Sequence, residues 1–373
     1  MKTIAIFSGY FYPHLGGIER YVDNMMKQFV NLGYQVILVT SNHDNLKEEE
    51  EVGGVKIYRL PVFNTFKHRY PISRYNKRQK EIIRKLDDYK IDSIIVNTRF
   101  HLTSHVGAKY GKKHNIPVFL IEHGSNYVTL DNKFIDFFAN RYEDFLTWKI
   151  KNKIRGFYGV SKACSAWLIK FGIKASGVWY NSIDDKQPLP RKVHDKTVNF
   201  LYAGRLLKQK GVNNVLQAFS NLEKEHDNIH LYIAGDGPLY NEYKAKYKSS
   251  NITFLGKLDY QTLLKYYAKT DVFLYPPLWP EGLPTSILEA GLMNCAVIGT
   301  NQGGIKEIIK DGENGIIVRE TRPALQSAME ALIRDEQMRK KYATGLKNTI
   351  KSEFSWEVTA KQILNDMECC NDR

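Results

Sequence analysis

Short apolar runs alternate with longer helical patterns along this chain, and the whole alternation is made twice, so helices are expected to wrap two separate parallel sheets. The first series of expected strands is Thr3 to Phe7, Gln35 to Thr40, Val55 to Arg59, Ser93 to Val96, Val118 to Glu122, Phe157 to Val160 and Gly177 to Tyr180. The second is Val198 to Ala203, His230 to Ala234, Ile252 to Leu255, Val272 to Tyr275, Ala296 to Gly299 and Ile316 to Val318. Between them, Asp184 to Lys196 is polar, carries Pro188 and Pro190, and reads as a linker. A chain of 373 residues with 43% apolar content can bury two cores. The expectation is an α/β protein of two Rossmann-like domains, residues 1–184 and 197–355.

The second series contains the chemically most pointed stretch, Trp279-Pro280-Glu281-Gly282-Leu283-Pro284-Thr285-Ser286-Ile287-Leu288-Glu289-Ala290-Gly291. It comes after an expected buried strand and opens an expected helix. Pro284 suits a first helical position, where a missing N–H costs nothing. The free N–H groups of a first turn favour an anion, and a phosphate could sit there. Glu281 lies in the loop and Glu289 more than a turn inside the helix, so they cannot share one proton as a close dyad would. They are expected to hold different ends of one long ligand, although a turn acid and a solvated helix acid show the same spacing.

A second signal is Tyr202-Ala203-Gly204-Arg205-Leu206-Leu207-Lys208-Gln209-Lys210-Gly211. An expected strand delivers Arg205, and Lys210-Gly211 stands at the approach to an expected helix, Val212 to Leu222. A planar guanidinium fork and a movable ammonium can together neutralise a pyrophosphate without a metal. In the first half, Gly16 and Gly17 stand between a strand and an expected helix, Ile18 to Leu32. Glycines at strand ends let a backbone approach an anion. His123 ends another strand. Gly235-Asp236-Gly237 and Gln302-Gly303-Gly304 are further strand-end turns, and the former lacks the third glycine of a dinucleotide fingerprint.

At these residues the chain resembles the retaining nucleotide-sugar glycosyltransferases of family four, a group that includes sucrose and glycogen synthases and many bacterial polysaccharide enzymes. Glu281 through Glu289 matches their E-x7-E motif, which implies that Glu289 holds the ribose hydroxyls and that Glu281 faces the transferred sugar. Gly282, Leu283, Pro284 and Thr285 then belong to the donor site. The Gly-Arg and Lys-Gly pair implies that Arg205 and Lys210 bind the donor diphosphate. Gly16 and Gly17 match a loop touching donor phosphate and acceptor, and His123 matches a histidine near the reacting carbon. Phe254-Leu255-Gly256 resembles the strand end that cradles the base. Asn181 and Asp184 keep two positions of a Pro-Asn-Gly-Val-Asp turn in which Tyr180 and Ser182 replace Pro and Gly. The resemblance also implies that the terminal helix, Ser355 to Met367, crosses back, so that residues 356–373 complete the first domain.

The same resemblance implies the GT-B architecture, two Rossmann-like domains facing across a cleft, and retaining transfer of a hexosyl unit. The implied donor is a nucleotide diphosphate sugar, UDP-sugar before GDP-mannose. The implied acceptor is a glycan or lipid-linked saccharide in cell-surface polysaccharide biosynthesis. Glu281 and His123 are the catalytic candidates. No metal site and no cofactor beyond the donor are expected, and no Asp-x-Asp is seen. A non-catalytic carbohydrate-binding partner of another transferase is the alternative, and it would be expected to lose Glu281, Arg205 or Lys210.

The net charge is +14, and residues 1–190 hold 29 Lys and Arg against 18 Asp and Glu. A basic half suggests an anionic partner. No nucleic-acid-binding motif supports that class of partner. Two stretches mix cations with aromatics: His68 to Lys85 (His68, Arg69, Arg74, Lys77, Arg78, Lys80, Arg84 and Lys85, with Tyr70 and Tyr75) and Trp148 to Phe157 (Lys149, Lys151, Lys153 and Arg155). Such runs are ordinarily solvated helix faces, and beside aromatics they can also attract anionic lipid. The first apolar segment is too short for a signal peptide and no apolar run reaches 18 residues, so the expected location is the cytoplasm, with peripheral contact at the inner membrane face. Cys164, Cys295, Cys369 and Cys370 show neither metal-ligand spacing nor a disulfide framework and are expected as reduced thiols.

Overall fold

The computed structural model describes residues 1–14, 16–65, 70–127, 133–193 and 195–371. The chain divides into two compact units, Met1–Tyr180 with Trp356–Arg373, and Asn181–Ser355. The polar stretch from Asp184 therefore runs within the second unit.

The first unit is built on β1 (Thr3–Phe7), β2 (Gln35–Asn42), β3 (Glu49–Val52), β4 (Val55–Thr65), β5 (Tyr70–Ser73), β6 (Ser93–Asn97), β7 (Val118–Glu122), β8 (Gly156–Gly159) and β9 (Gly177–Val178). Their order is β3-β4-β2-β1-β6-β7-β8-β9, with β5 paired to β4. The pairs of β1, β2, β6, β7 and β8 are parallel, and β1, β6 and β7 are buried along their whole length. Burial on both faces makes such strands near-continuous apolar runs. The antiparallel β3 and β5 depart from that pattern. Helices α1 (Gly17–Asn31), α2 (Lys77–Arg84), α3 (Leu102–His114), α4 (Lys133–Lys151) and α5 (Lys162–Trp167) connect the strands.

The terminal helix, Trp356–Asn371, joins this unit's core, where Trp356, Ala360, Ile363 and Met367 pack with Ile4, Phe29 and Trp179. Trp356 meets Tyr21 edge-on at 4.8 Å. Trp179 stacks on Tyr158 at 3.8 Å and donates to Asp366 at 2.8 Å. Arg155 donates to the carbonyl of Cys370 near the helix end.

The second unit has six strands, β10 (Val198–Ala203), β11 (Ile229–Ala234), β12 (Ile252–Gly256), β13 (Val272–Tyr275), β14 (Ala296–Thr300) and β15 (Ile316–Val318). They run parallel in the order β12-β11-β10-β13-β14-β15. Counted within the unit this is the 3-2-1-4-5-6 order of a doubly wound sheet, whose ligand crevice opens where the order reverses, between β10 and β13. Helices α6 (Val212–Leu222), α7 (Tyr240–Lys246), α8 (Tyr260–Lys269), α9 (Thr285–Leu292), α10 (Ile305–Ile308), α11 (Arg322–Arg334) and α12 (Glu336–Glu353) flank it. The four cysteines are free thiols.

Trp356 is 1% exposed, and truncating a buried Trp costs about 3–5 kcal/mol. Trp356→Ala is therefore expected to lower the melting temperature, with near-UV dichroism showing disturbed packing. An unchanged melting curve would contradict this placement.

Candidate donor site and the strand ends of the first unit

The cationic and carboxylate motifs of the second half meet at the switch point of the second sheet. Arg205 stands two residues past the end of β10 and is exposed. Its backbone is held on several sides: Tyr202 donates to the Arg205 carbonyl at 3.2 Å, and Leu206 N–H donates to the Asp236 carbonyl at 3.0 Å. Gly235, at φ 131°, lies so close that a Cβ would stand 1.9 Å from the Gly204 carbonyl oxygen. The Gly235–Gly237 turn thus clamps the loop that carries Arg205. The carbonyl of Gly256 accepts from Gly235 N–H at 2.7 Å, so the Phe254–Gly256 strand end supports the same clamp.

Lys210 reaches back across the switch point. Gly211 adopts φ 71°, and a Cβ there would meet the Pro276 carbonyl oxygen at 1.9 Å, so the turn presses directly on the end of β13. Leu278 N–H donates to the Gln209 carbonyl at 2.8 Å. Through these contacts Lys210 Nζ lies 2.6 Å from Glu281 Oε1, with both side chains largely shielded. Tyr275, the last residue of β13, donates to Glu281 Oε2. Burial and then the Glu281 carboxylate raise the Tyr275 pKa well above its ordinary value, so its proton stays on the bond.

The glycine turn after β14 sets the loop from below. Gly303, at φ 54°, would place a Cβ 1.9 Å from the Glu281 carbonyl oxygen, and Gly304 N–H donates to the carbonyls of Glu281 and Gly282. Asn181 donates to the Leu283 carbonyl at 3.3 Å. Leu283 and Pro284 are buried and Thr285 is exposed. Pro284 occupies the N-cap of α9 with extended ψ of 112° rather than the first helical position expected from its type, and Thr285 begins the helix. Glu289 is buried in α9 and accepts from Tyr267 at 3.2 Å. Tyr202, Tyr267 and Tyr275 were not legible as site residues, although a tyrosine at the carboxyl end of an apolar strand, as at 202 and 275, offers a signal.

In the first unit, Gly16 caps α1 without a side-chain bond, and the space a Cβ would take is filled by Glu19 Oε2 at 2.5 Å. A Cβ at Gly17 would meet nothing. His123 stands just past β7 and lies edge-on to Tyr21 at 5.0 Å. Asn97 donates through Nδ2 to the Phe7 carbonyl, which turns its Oδ1 toward His123 Nε2 at 2.9 Å. Nε2 therefore carries the proton, leaving Nδ1 as a lone-pair acceptor. Burial, and then the neighbouring His101, lower the His123 pKa to about 3, so the ring is neutral near pH 7 and suited to accepting a hydroxyl bond. Upstream of it, Arg99 is fully buried between Glu122 at 2.8 Å and Glu143 at 2.9 Å. Glu122 in turn accepts from Gly124 N–H at 3.1 Å and fixes the turn that carries His123. This triad escaped sequence reading because its members lie up to 44 residues apart.

Of the basic stretches, His68 and Arg69 lie outside the described residues. Within the rest of that stretch are β5 and α2, and two of its cations are engaged by the acidic run at β3, Arg78 with Glu48 and Lys85 with Glu49, while Arg78 also pairs with Glu81 on α2 itself. Among the described residues, no helix is long and apolar enough to cross a membrane. Among the described residues, a trio of Glu225, His226 and Glu330 brings possible metal-ligand atoms together, and none of the three belongs to the candidate donor site.

Comparison with known proteins matches both halves of the chain to glycosyltransferase families. The family described as "Glycosyltransferase Family 4" matches residues 15–187, and "Glycosyl transferases group 1" matches residues 184–349. An uncharacterised glycosyltransferase of Methanocaldococcus jannaschii is 27% identical over 96% of both chains. The phosphatidylinositol N-acetylglucosaminyltransferase GPI3 subunit of Saccharomyces cerevisiae is 22% identical over 82% of this chain and 70% of its own. The structure of Anabaena HepE in complex with UDP superposes with a TM-score of 0.76 at 16% identity, covering 99% of this chain and 100% of that one, a likeness of fold.

Burial lowers the pKa of His101 and His105 to about 4, and that of His123 to about 3. Unfolded histidines titrate near about 6.5. The unfolded chain thus binds protons that the folded unit refuses, so this contribution to stability is complete above about pH 6.5 and is lost as pH falls toward 4. Denaturation at stepped pH is expected to show proton uptake on unfolding across that window, and NMR should find these rings untitrated at pH 6. Rings that titrate near 6.5 in the folded protein would contradict it.

Proposed function

Because the chain belongs to the family 4 group of GT-B glycosyltransferases, we propose that it moves a hexosyl unit, with retention, from a UDP-sugar to a glycan or lipid-linked saccharide hydroxyl. The observation that carries this reading is the contact of Lys210 with Glu281, which joins the cationic loop to the carboxylate loop at the switch point of a doubly wound sheet. Glycosyltransferase chemistry on a nucleotide sugar is the family's common property. UDP as the nucleotide is supported by the fold likeness to HepE, whose structure contains UDP.

In the proposed reaction the bond from the anomeric carbon to the diphosphate breaks as the acceptor oxygen bonds the same face, and the acceptor proton passes to a diphosphate oxygen. Charge grows on the leaving diphosphate. Arg205, Lys210 and the N–H groups after Pro284 stabilise that charge more in the transition state than in the ground state. Lys210 must then release Glu281 in part, which frees the carboxylate to face the sugar and its developing positive charge. Gly282, Leu283, Pro284 and Thr285 form the donor wall, and Glu289 holds the ribose. Gly16 and Gly17 approach donor phosphate and acceptor, and His123 accepts from a sugar hydroxyl. The reaction as written requires neither a metal nor a resident cofactor.

The acceptor side is proposed to work at the cytoplasmic face of a membrane, in cell-surface polysaccharide synthesis. The basic surplus of residues 1–190 supports this, as does the yeast relative, whose name joins phosphatidylinositol to the transfer of N-acetylglucosamine. Screening nucleotide sugars for release of free nucleoside diphosphate tests the reading, and release from none of them would end it.

A charged hydrogen bond contributes roughly 1.5–3 kcal/mol, so Arg205→Ala is expected to cut turnover by about one to two orders of magnitude. Unchanged turnover and donor affinity would remove Arg205 from the diphosphate. Glu289→Gln should raise the KM for donor and weaken calorimetric binding of UDP. Glu281→Gln should lower turnover while UDP affinity stays nearly intact. Equal loss of nucleotide binding in both would overturn the division of roles.

A further inference from the structure

Helix α4 carries a feature that neither the donor site nor the core uses. Phe134, Phe138, Tyr142, Phe145 and Trp148 succeed one another at steps of three or four residues and so share one face. Phe134 is 73% exposed, Phe138 56% and Trp148 64%. The opposite side of the helix is buried through Glu143, Leu146, Thr147 and Ile150, and Glu143 is tied to the interior by Arg99. The helix is therefore fixed on one face and presents a row of rings on the other. These rings lean on each other, Phe134 with Phe138 at 5.0 Å and Phe145 with Trp148 at 6.1 Å. Contiguous exposed apolar surface on this scale marks an interaction site.

A cluster of cations rims the carboxyl end of the row. Lys149 lies over the Phe145 ring at 5.9 Å, and Lys153 donates to the Lys149 carbonyl. Lys112 on α3 belongs to the same cluster, because burial and then the charges of Lys112 and Lys149 lower the Lys153 pKa. Among the described residues no carboxylate pairs with Lys112, Lys149, Lys151 or Lys153, in contrast to Arg78 and Lys85 on the other basic stretch.

We propose that the outward face of α4, with the Lys112, Lys149 and Lys153 cluster, is the surface by which this chain docks on an anionic lipid bilayer. This deepens the membrane contact proposed above and rests on it. A helix of this length lies along the bilayer plane for about 28 Å. Its rings would sink to the headgroup boundary, where Trp and Tyr settle, while the lysine heads reach lipid phosphates. Charge favours lipid over a second copy of the chain. A two-fold interface repeats the same patch and brings an equal surplus of positive charge into it.

Flotation of the full chain with vesicles of phosphatidylcholine plus phosphatidylglycerol, and with phosphatidylcholine alone, tests the proposal. The wild type is expected to float with the anionic vesicles and less so in high salt. Phe138→Ser/Phe145→Ser/Trp148→Ser should lose at least about tenfold in partition, with nucleoside diphosphate release and melting temperature unchanged because the residues are surface rings. Lys149→Glu/Lys153→Glu should lose the preference for anionic vesicles. If the triple variant floats like the wild type, α4 is not the docking surface even though the membrane contact stands. If the wild type floats with neither vesicle, both fall, while diphosphate release reports separately on the enzymatic reading. A concentration-dependent dimer that the triple variant abolishes, without flotation, would assign the face to a second copy and overturn the proposal.

Discussion

The pairing of Lys210 with Glu281 is the contact on which the second unit's site depends. Each group comes from a loop at the end of a different strand, and the two strands flank the reversal point of the sheet. A part-buried ion pair is not a reliable source of stability, because desolvation offsets much of its attraction. Its geometry is instead imposed by backbone. Gly211 must bring its loop against Pro276, and Gly303 must pass beneath Glu281, at distances that leave no room for a side chain. Tyr275 then fills the second carboxylate oxygen with a proton that burial keeps in place. The result is a carboxylate and an ammonium held next to each other at the switch point of the sheet.

In the first unit the comparable constraint is buried. Arg99 has no exposed surface and is matched by two carboxylates, Glu122 and Glu143, with the ring of Phe171 at 4.2 Å from the guanidinium carbon. Removing one partner of such a network leaves an uncompensated buried charge, which is costly. The network links three things that are separate in sequence: the loop after β6, the turn after β7 that carries His123, and the inward side of α4. The polar strand end and the aromatic outer face of α4 are in this way fixed by the same guanidinium.

Much of the fold was legible because strands buried on both faces are written as unbroken apolar runs. The boundaries of β1, β7, β10, β13 and β15 coincide with the runs. The two strands that were missed obey other rules. β3, Glu49–Val52, is a charged edge strand that looks like a solvated loop, and β5, Tyr70–Ser73, contains Pro71, which argues against a strand in sequence. The placement of Arg205, Lys210, Glu281 and Glu289 at the strand ends and helix start of the candidate site is legible through spacing and resemblance. Tyr267 and Arg99 are not, since their partners Glu289, Glu122 and Glu143 lie 22 to 44 residues away, and Tyr202 and Tyr275 bond nearby Arg205 and Glu281 through hydroxyls whose direction no spacing rule gives. Pro284 shows the limit of residue preference: its ring suits a first helical position, yet it caps the helix one residue earlier. The outward rings of α4 have the same three-and-four spacing that ordinarily marks a core face, so periodicity alone gives no direction.

If the cationic loop and the carboxylate loop bind one diphosphate together, as proposed, a double-mutant cycle reads the coupling between them. Calorimetric binding of UDP would be compared for the wild type, Lys210→Met, Glu281→Gln and the double variant. The structure predicts that Lys210→Met loses affinity by about tenfold or more. It also predicts that the loss changes when Glu281 is neutralised, with a coupling of about 1 kcal/mol, because the two groups are in direct contact. Unaltered UDP affinity in Lys210→Met, or strict additivity across the cycle, would contradict the account.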